Sequence, residues 1–422
     1  MGPILICDKS TLQALSRDEL AALRRYYSLN IPPVLLAEIL SNLKKHSDPQ
    51  AGQNEVRILA NKVLPARSTV NVNYRDIIAG ELLEQQFPMD GRPVIEGGRQ
   101  IDSGDGKKTG LYFKVSTEEE ALLRWQAGAF HEGEMFVAEA WRRSARAIDL
   151  EGMKRQLRNA CSNKLSLNSF DEVIRFVEEL MHSSSPNYLL RWFLTDIGMF
   201  GPGERGSLQK FYDAPTGSLH EILPYTAHCV RTSLIFHFAL AFGLVSTRST
   251  NRIDLEYFYY VPFSNAFSSG DNFHREMAPY IIKRGCYVPR DELKSDLNDL
   301  AKWWAGLTPE LQEIHLSIPP ENDKSITHRL WQKIMRPGYK AKARTFLTPE
   351  KSAEMLRKFQ EIAKKAPADS RMFTGSMDDC DFIMVQHFVR TDGPCICGSA
   401  KLFKECCGHK LVKSREEIER EI

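Results

Sequence analysis

This 422-residue chain carries almost no net charge, +2 at neutral pH, so no global field steers it toward nucleic acid or a membrane surface. Any nucleic-acid contact must come from a local patch. Long apolar runs are missing too. The longest, Leu234 to Val245, includes His237 and falls well short of the roughly 20 residues a membrane-spanning helix needs, so it reads as a buried helix. The opening MGPILICDKS has no basic leader and too short an apolar run for a signal peptide. Paired cysteines are absent from most of the chain. Cys7, Cys161, Cys229, Cys286 and Cys380 are scattered singly, which suits a reducing cytoplasm better than a disulfide framework. Internal repeats and low-complexity segments are missing as well. What remains, 42% hydrophobic and 26% charged, is an ordinary globular composition, long enough for two or three domains.

The N-terminus reads as α/β. PILICD is a short apolar run ending in an acid, as expected of a buried strand whose tip exposes Asp8. Ser16 precedes RDEL and apolar residues at helical spacing, so a helix begins near residue 17. LNIPP is strand-like, and Pro32-Pro33 start a helix that carries Glu38. From about 61 to 245 the chain reads mostly helical, with a capping box at Ser169 and Glu172 and loop-like interruptions at 91–110 and 201–206. The segment IDLEYFYYVPFSNAFSSGDNFH is rich in aromatics. It contains a strand candidate, FSNAFSS, before Gly270-Asp271. Leu293 to Trp304 reads as a helix packed through Trp303 and Trp304, and Thr348-Pro349-Glu350 opens a last helix through Ala363.

Four carboxylates stand where chemistry would want them. Asp8 ends the first strand, and Glu38 lies on the helix after the second. Asp254 opens the aromatic helix, and Asp271 follows the later strand. Strand C-termini of an α/β sheet converge on one edge, where ligands bind. Acids gathered there repel one another unless a cation lies between them, and oxygen donors favour Mg²⁺ or Mn²⁺. Taken singly, each also fits a plainer role: turn acid for Asp8 and Asp271, solvated helix face for Glu38, helix N-cap for Asp254. His274 reads as a satisfied core histidine rather than a ligand.

These segments together resemble the motifs of PIN-like nucleases. LICDKSTLQALS and IPPVLLAEIL are similar to the first two motifs. Asp254, Tyr257, Tyr260 and Pro262, followed by Ser269 and Asp271, are similar to the last two. The resemblance implies a mostly parallel sheet flanked by helices and metal-dependent cleavage of a phosphodiester, with RNA as the substrate. It further implies Asp8, Glu38, Asp254 and Asp271 as Mg²⁺ or Mn²⁺ ligands, with Ser10 and Ser269 as polar neighbours. The chain departs from the pattern in two places. About two hundred residues separate the second and third motifs, and Asn265 stands where the family often has a further acid.

Near the end, PCICGSAKLFKECCGHK places Cys395, Cys397, Cys406 and Cys407 within thirteen residues. Four thiolates in two close pairs suit tetrahedral zinc. The string resembles the SEC-C zinc motif, which is best known from the tail of the bacterial preprotein translocase ATPase. Gly398, Ser399, Lys401, Phe403 and Lys404 also match it. That resemblance implies a structural zinc knuckle, with His409 as a less favoured fourth ligand. It also implies an alternative function, an adaptor that docks on a protein or ribosome partner.

From Lys324 to Arg344 the chain has seven basic residues and no acid, with Trp331 and Tyr339 interleaved. The stretch reads either as a solvated basic face or as an RNA contact through Lys333, Arg336 and Lys340. The expected organisation is therefore a PIN-like domain in two parts, 1–60 and 246–300, around a mostly helical insertion at 61–245. A helical region at 301–390, the knuckle at 391–412 and a charged tail at 413–422 follow. The expected molecule is a cytoplasmic endoribonuclease with catalytic Mg²⁺ or Mn²⁺ and structural zinc.

One outcome follows from the cysteines alone. The purified chain should carry one tightly bound zinc, and Cys397→Ser should lose it. The same substitution should unfold roughly thirty C-terminal residues and spare the rest, because metal binding supplies the folding free energy of so small a module. Metal analysis that finds no zinc in the intact chain contradicts this.

Overall fold

The structure is a computed structural model. It describes residues 2–334, apart from 64–67, 97–98, 103–108, 115, 162–164, 200–217 and 316–317, together with the strands Ser370–Met372 and Gln386–Phe388. Its centre is a five-stranded parallel sheet. In chain order the strands are β1 (Ile4–Cys7), β2 (Ser28–Ile31), β3 (Ser68–Val70), β4 (Ala266–Ser269) and β5 (Cys286–Pro289). They lie side by side in the order β3-β2-β1-β4-β5. Strand β1 pairs with β2 on one side and with β4 on the other, Leu5 opposite both Leu29 and Ala266. A central strand is covered on both faces, and so ILIC is apolar throughout instead of alternating.

The order of the strands reverses at β1 and β4. That boundary is the switch point where open α/β sheets bind ligands, just outside the strand C-termini. The chain expected to be mostly helical beyond residue 60 supplies the edge strand β3, which pairs with β2 from Leu29 to Ile31. The stretch at 91–110, read as loop, instead contributes short strands. Val94–Glu96 pairs with Gln386–Phe388, and Arg99–Asp102 forms an antiparallel pair with the strand Thr109–Lys114.

Helices follow β1, β2 and β4 directly. The helices that bear on the site are α1 (Lys9–Ala14), α2 (Arg17–Tyr26) and α3 (Pro33–Leu40) early in the chain, then α4 (Pro224–Ala241), α5 (Asn251–Tyr259), α6 (Asn272–Ile281) and α7 (Arg290–Ala305). Asp8 caps α1, and the helix expected near residue 17 is α2, which opens at Arg17 with Ser16 and Glu19 forming its capping box.

The apolar stretch around Leu234 is part of α4, which buries fifteen of its eighteen residues and is therefore a core helix. Among the described residues no helix is long and apolar enough to cross a membrane. Arg231 and His237, buried on α4, are paired, whereas the hydroxyls of Tyr225, Thr226 and Thr232 are not, among the described residues. Arg231 donates to Glu178 and to the Tyr280 carbonyl, and His237 meets Asp196. Between α4 and the sheet lies α5, whose run Tyr257 to Tyr260 is buried throughout. Each hydroxyl of that run has a partner. Tyr257 donates to Glu38, Tyr259 meets Ser233, and Tyr260 accepts from the Tyr74 amide.

The long connection is tied to the core at the start of α4. Both carboxylate oxygens of buried Glu81 accept backbone N–H bonds there, from Tyr225 at 2.8 Å and Thr226 at 2.7 Å. A carboxylate against a helix N-terminus is favoured by the orphan amides and the dipole. Glu81→Ala should therefore destabilise the protein by about 3 kcal/mol in urea unfolding, because two buried N–H groups lose a charged acceptor. A loss below about 1 kcal/mol would mean that solvent replaces the carboxylate.

Candidate active site

Asp8 follows the last residue of β1, with its amide still bonded to the Ser268 carbonyl of β4. Its carboxylate is buried and densely held. Oδ1 accepts from the Thr11 amide at 2.8 Å, and Oδ2 accepts from the Ser269 hydroxyl at 2.7 Å. The Ser10 hydroxyl donates to the same carboxylate and itself accepts from the Gly270 amide at 3.1 Å. Ser10 thus ties the tip of β1 to the tip of β4. Asp271 stands at that second tip and caps α6 through the Phe273 amide at 2.8 Å. Its other oxygen accepts from Arg248 at 3.0 Å.

Ser269 is the hub of the site. Its oxygen accepts from the Asp271 amide at 2.9 Å and lies 2.7 Å from His274 Nδ1. His274 is fully buried on α6, and its Nε2 lies 2.8 Å from the Asp254 carbonyl. A carbonyl only accepts, so Nε2 carries the proton. Burial pushes this imidazole below its ordinary range, against the pull of Asp8. The Ser269 hydroxyl has one proton to offer Asp8 Oδ2 or His274 Nδ1, so the histidine joins the α5 backbone to the Ser269 hub and shares that donor with Asp8.

Glu38 and Asp254 complete the group. Glu38 is held by the Tyr257 hydroxyl. Burial raises its carboxyl above the ordinary value, as do Asp8 and Asp271, while Lys9 and Tyr257 pull it down. Asp254 lies in the first turn of α5, and the flanking residue before that helix is Thr250, so Asp254 is not the N-cap. It is 8% exposed, and its Oδ2 has no hydrogen-bond partner. Burial pushes its carboxyl well above the ordinary range. Glu38, Asp271 and Asp8 push it further, and Arg248 opposes them. The four predicted acids therefore share one electrostatic environment, although Asp8 and Ser269 are 261 residues apart in sequence.

The donor set bears on which cation fits. Among the described residues no three His, Cys, Asp or Glu side chains stand close enough to cage a metal ion. Mg²⁺ seldom uses such a cage. It keeps several waters and takes one or two carboxylates directly. A hydrated Mg²⁺ or Mn²⁺ fits a buried carboxylate oxygen without a donor, set among three further acids. A soft metal with three protein ligands does not fit.

Other expectations fall elsewhere. Asn265 lies at the opposite end of β4, where its side chain accepts from the Ile4 amide at 2.8 Å and its own amide donates to the Ile4 carbonyl. It joins the strands at the edge remote from the acids. Trp331, interleaved with the basic residues in sequence, is buried and donates to the Tyr26 carbonyl at 3.1 Å. Trp304 carries the Arg25 guanidinium over its ring at 3.4 Å, and Trp303 meets His315 edge-on, in line with packing roles. Lys333 lies on the helix Ile326–Ile334, with Nζ 3.4 Å from Cys286 Sγ. Arg336 and Lys340, the cysteines Cys395, Cys397, Cys406 and Cys407, and the last expected helix lie outside the described residues.

Sequence reasoning missed the Arg248 contact. No motif marks it, and only the packing of the loop before α5 brings it to Asp271. No family model matches the chain, and neither a curated protein nor a solved structure matches it.

The raised Asp254 carboxyl has a consequence for stability. Its folded pKa lies above its unfolded value, so the folded state holds a proton that the unfolded chain releases. That contribution is full below the unfolded pKa, near 4, and is lost as pH rises toward the folded value. Asp254→Asn removes the dependence. In EDTA the variant should melt close to the parent at pH 4 and several degrees above it at pH 8. A melting difference that does not change with pH contradicts this.

Proposed function

We propose that this protein is a divalent-metal-dependent phosphodiesterase that cleaves RNA endonucleolytically. The observation that carries the reading is the unpartnered, buried Oδ2 of Asp254 among Asp8, Glu38 and Asp271, at the switch point of a parallel sheet. Carboxylates crowded without a cation cost stability, and a fold keeps such an arrangement where a cation is used. The motif resemblance supports RNA as the substrate.

The roles of the chain's own groups follow from their bonds. Ser10, Thr11 and Ser269 hold the Asp8 carboxylate in one orientation, and Tyr257 holds Oε2 of Glu38. Asp254 offers an oxygen that no protein donor claims. Arg248 sits on Asp271 and brings a positive charge to the mouth of the site, where a phosphate would arrive. When bound, Mg²⁺ or Mn²⁺ supplies Lewis acidity toward a phosphoryl oxygen and makes water a better nucleophile at neutral pH. Protonated Asp254 or Glu38 must release a proton to take the ion, so ion affinity rises with pH.

The tail cysteines complete the proposal as a structural zinc site, since four thiolates leave no open position for substrate. The adaptor alternative would use those cysteines for docking, with the sheet domain as a scaffold, and the cysteines lie outside the described residues.

Asp8→Asn tests the reading cleanly. Asparagine caps a helix as well as aspartate, so α1 survives the exchange. With Mn²⁺ and a mixed RNA substrate the variant should lose at least about 100-fold in cleavage rate, at a melting temperature no lower than the parent's. Equal cleavage by the variant, or none by the parent in Mg²⁺ and Mn²⁺, overturns the proposal.

A further inference from the structure

Two clefts on the described surface share Lys154, and one of them opens at Asp271. One, about 590 Å³, is lined by Asp271 and Arg248 together with Lys154 and the turn from Gly243 to Thr247. The other, about 440 Å³, is lined by Lys154, Arg155, Arg158, Asn159, Asn168 and Phe242. Lys154 lines both, and the chain from Ala241 to Arg248 passes from one cleft into the other. Joined through Lys154, the two would make one groove with Asp271 at its near end. Gly243 makes the bend between them at a φ of +77°, a conformation that side chains other than glycine rarely adopt.

Charge is graded along this groove. Its near end holds Asp271 and Glu276 with Arg248. Its far end holds Lys154, Arg155 and Arg158 against the single acid Glu151. The three basic residues come from one helix, Leu150–Ala160, which packs on α4. Arg158 lies with its guanidinium 4.4 Å from the centre of the Phe242 ring and donates to the Leu165 carbonyl. A guanidinium held in that way presents a planar face on which an unpaired base can stack. Asn159, Ser166 and Asn168 add neutral hydrogen-bonding groups to the same cleft.

We propose that this groove is the track of a single-stranded RNA, with phosphates on Lys154, Arg155 and Arg248 and a base against Arg158. The proposal deepens the hydrolytic reading and rests on it for the identity of the occupant. A backbone strand following the groove carries one phosphate to Arg248, next to Asp271, and so delivers a phosphodiester to the acids. The helical segment between the second and third motifs then acts as the substrate-binding part of the molecule, and the basic stretch from Lys324 is not required for the track.

The test measures binding alone. A fluorescein-labelled 12-nucleotide single-stranded RNA is titrated with the full-length protein in EDTA, across a series of salt concentrations. The parent should bind with a clear log–log salt slope. The Lys154→Gln, Arg155→Gln, Arg158→Gln triple variant should bind at least about tenfold more weakly, with a slope shallower by about 1.4, since each of the two lost single-strand phosphate contacts removes about 0.7 and the lost base contact weakens binding without changing the slope. A second variant, Lys154→Gln with Arg155→Gln, leaves Arg158 on Phe242. It should lose about 1.4 of the slope while melting like the parent. Unchanged affinity and slope in this pair overturns the groove, whatever the acids do. The same is true if neutralising Lys333, Arg336 and Lys340 accounts for the whole salt effect. If the parent binds in the groove yet never cleaves in Mn²⁺, the groove stands and the hydrolytic reading alone falls.

Discussion

Like charges brought together in a low-dielectric setting disfavour joint ionisation, and the upper edge of this sheet brings four of them together. Asp8 and Asp271 stand at the tips of adjacent parallel strands, and Glu38 and Asp254 approach from two helices. The fold offsets part of the repulsion with donors: Ser10, Thr11 and Ser269 on Asp8, Tyr257 on Glu38, Arg248 on Asp271. At Asp254 it provides no such donor to Oδ2. Much of the surrounding structure can be understood as support for that arrangement. The run of buried tyrosines on α5, the core helix α4 beneath it and the His274 link to the Asp254 carbonyl all hold the first turn of α5 in place.

How far the sequence revealed this depended on the length and isolation of each signal. Strand β1 is a short apolar run with an acid just beyond it, and β4 lies in an aromatic-rich segment that ends in a Gly-Asp turn, so both are legible. Helix α2 announces itself through Ser16 and Glu19. Strands β3 and β5 are three and four residues long, with no alternation to mark them. Periodicity cannot identify elements so short. The strand pair at 99–114 looked like a loop because its glycines and charges dominate its composition.

The candidate site was legible in part. The acids could be named from their positions after strands and before helices, since strand tips converge by geometry. The partners that hold them could not. Ser269 as a three-way hub, Arg248 on Asp271 and Asn265 at the far edge of the sheet all depend on register between segments more than two hundred residues apart. The basic groove was illegible for a related reason. Lys154, Arg155 and Arg158 form an ordinary charged helix face in sequence, and only packing against Ala241–Arg248 turns that face into one wall of a cleft.

The central claim is that these four carboxylates form one divalent-ion site. Mn²⁺ binding followed by electron paramagnetic resonance reads it directly, since the free-ion signal falls as the ion is taken up and any zinc on the protein is silent. The parent protein should remove Mn²⁺ from solution in proportion to its concentration, more strongly at pH 8 than at pH 6, and Asp271→Asn should abolish the uptake. Uptake that survives Asp271→Asn unchanged, or no uptake by the parent at millimolar Mn²⁺, would contradict the account.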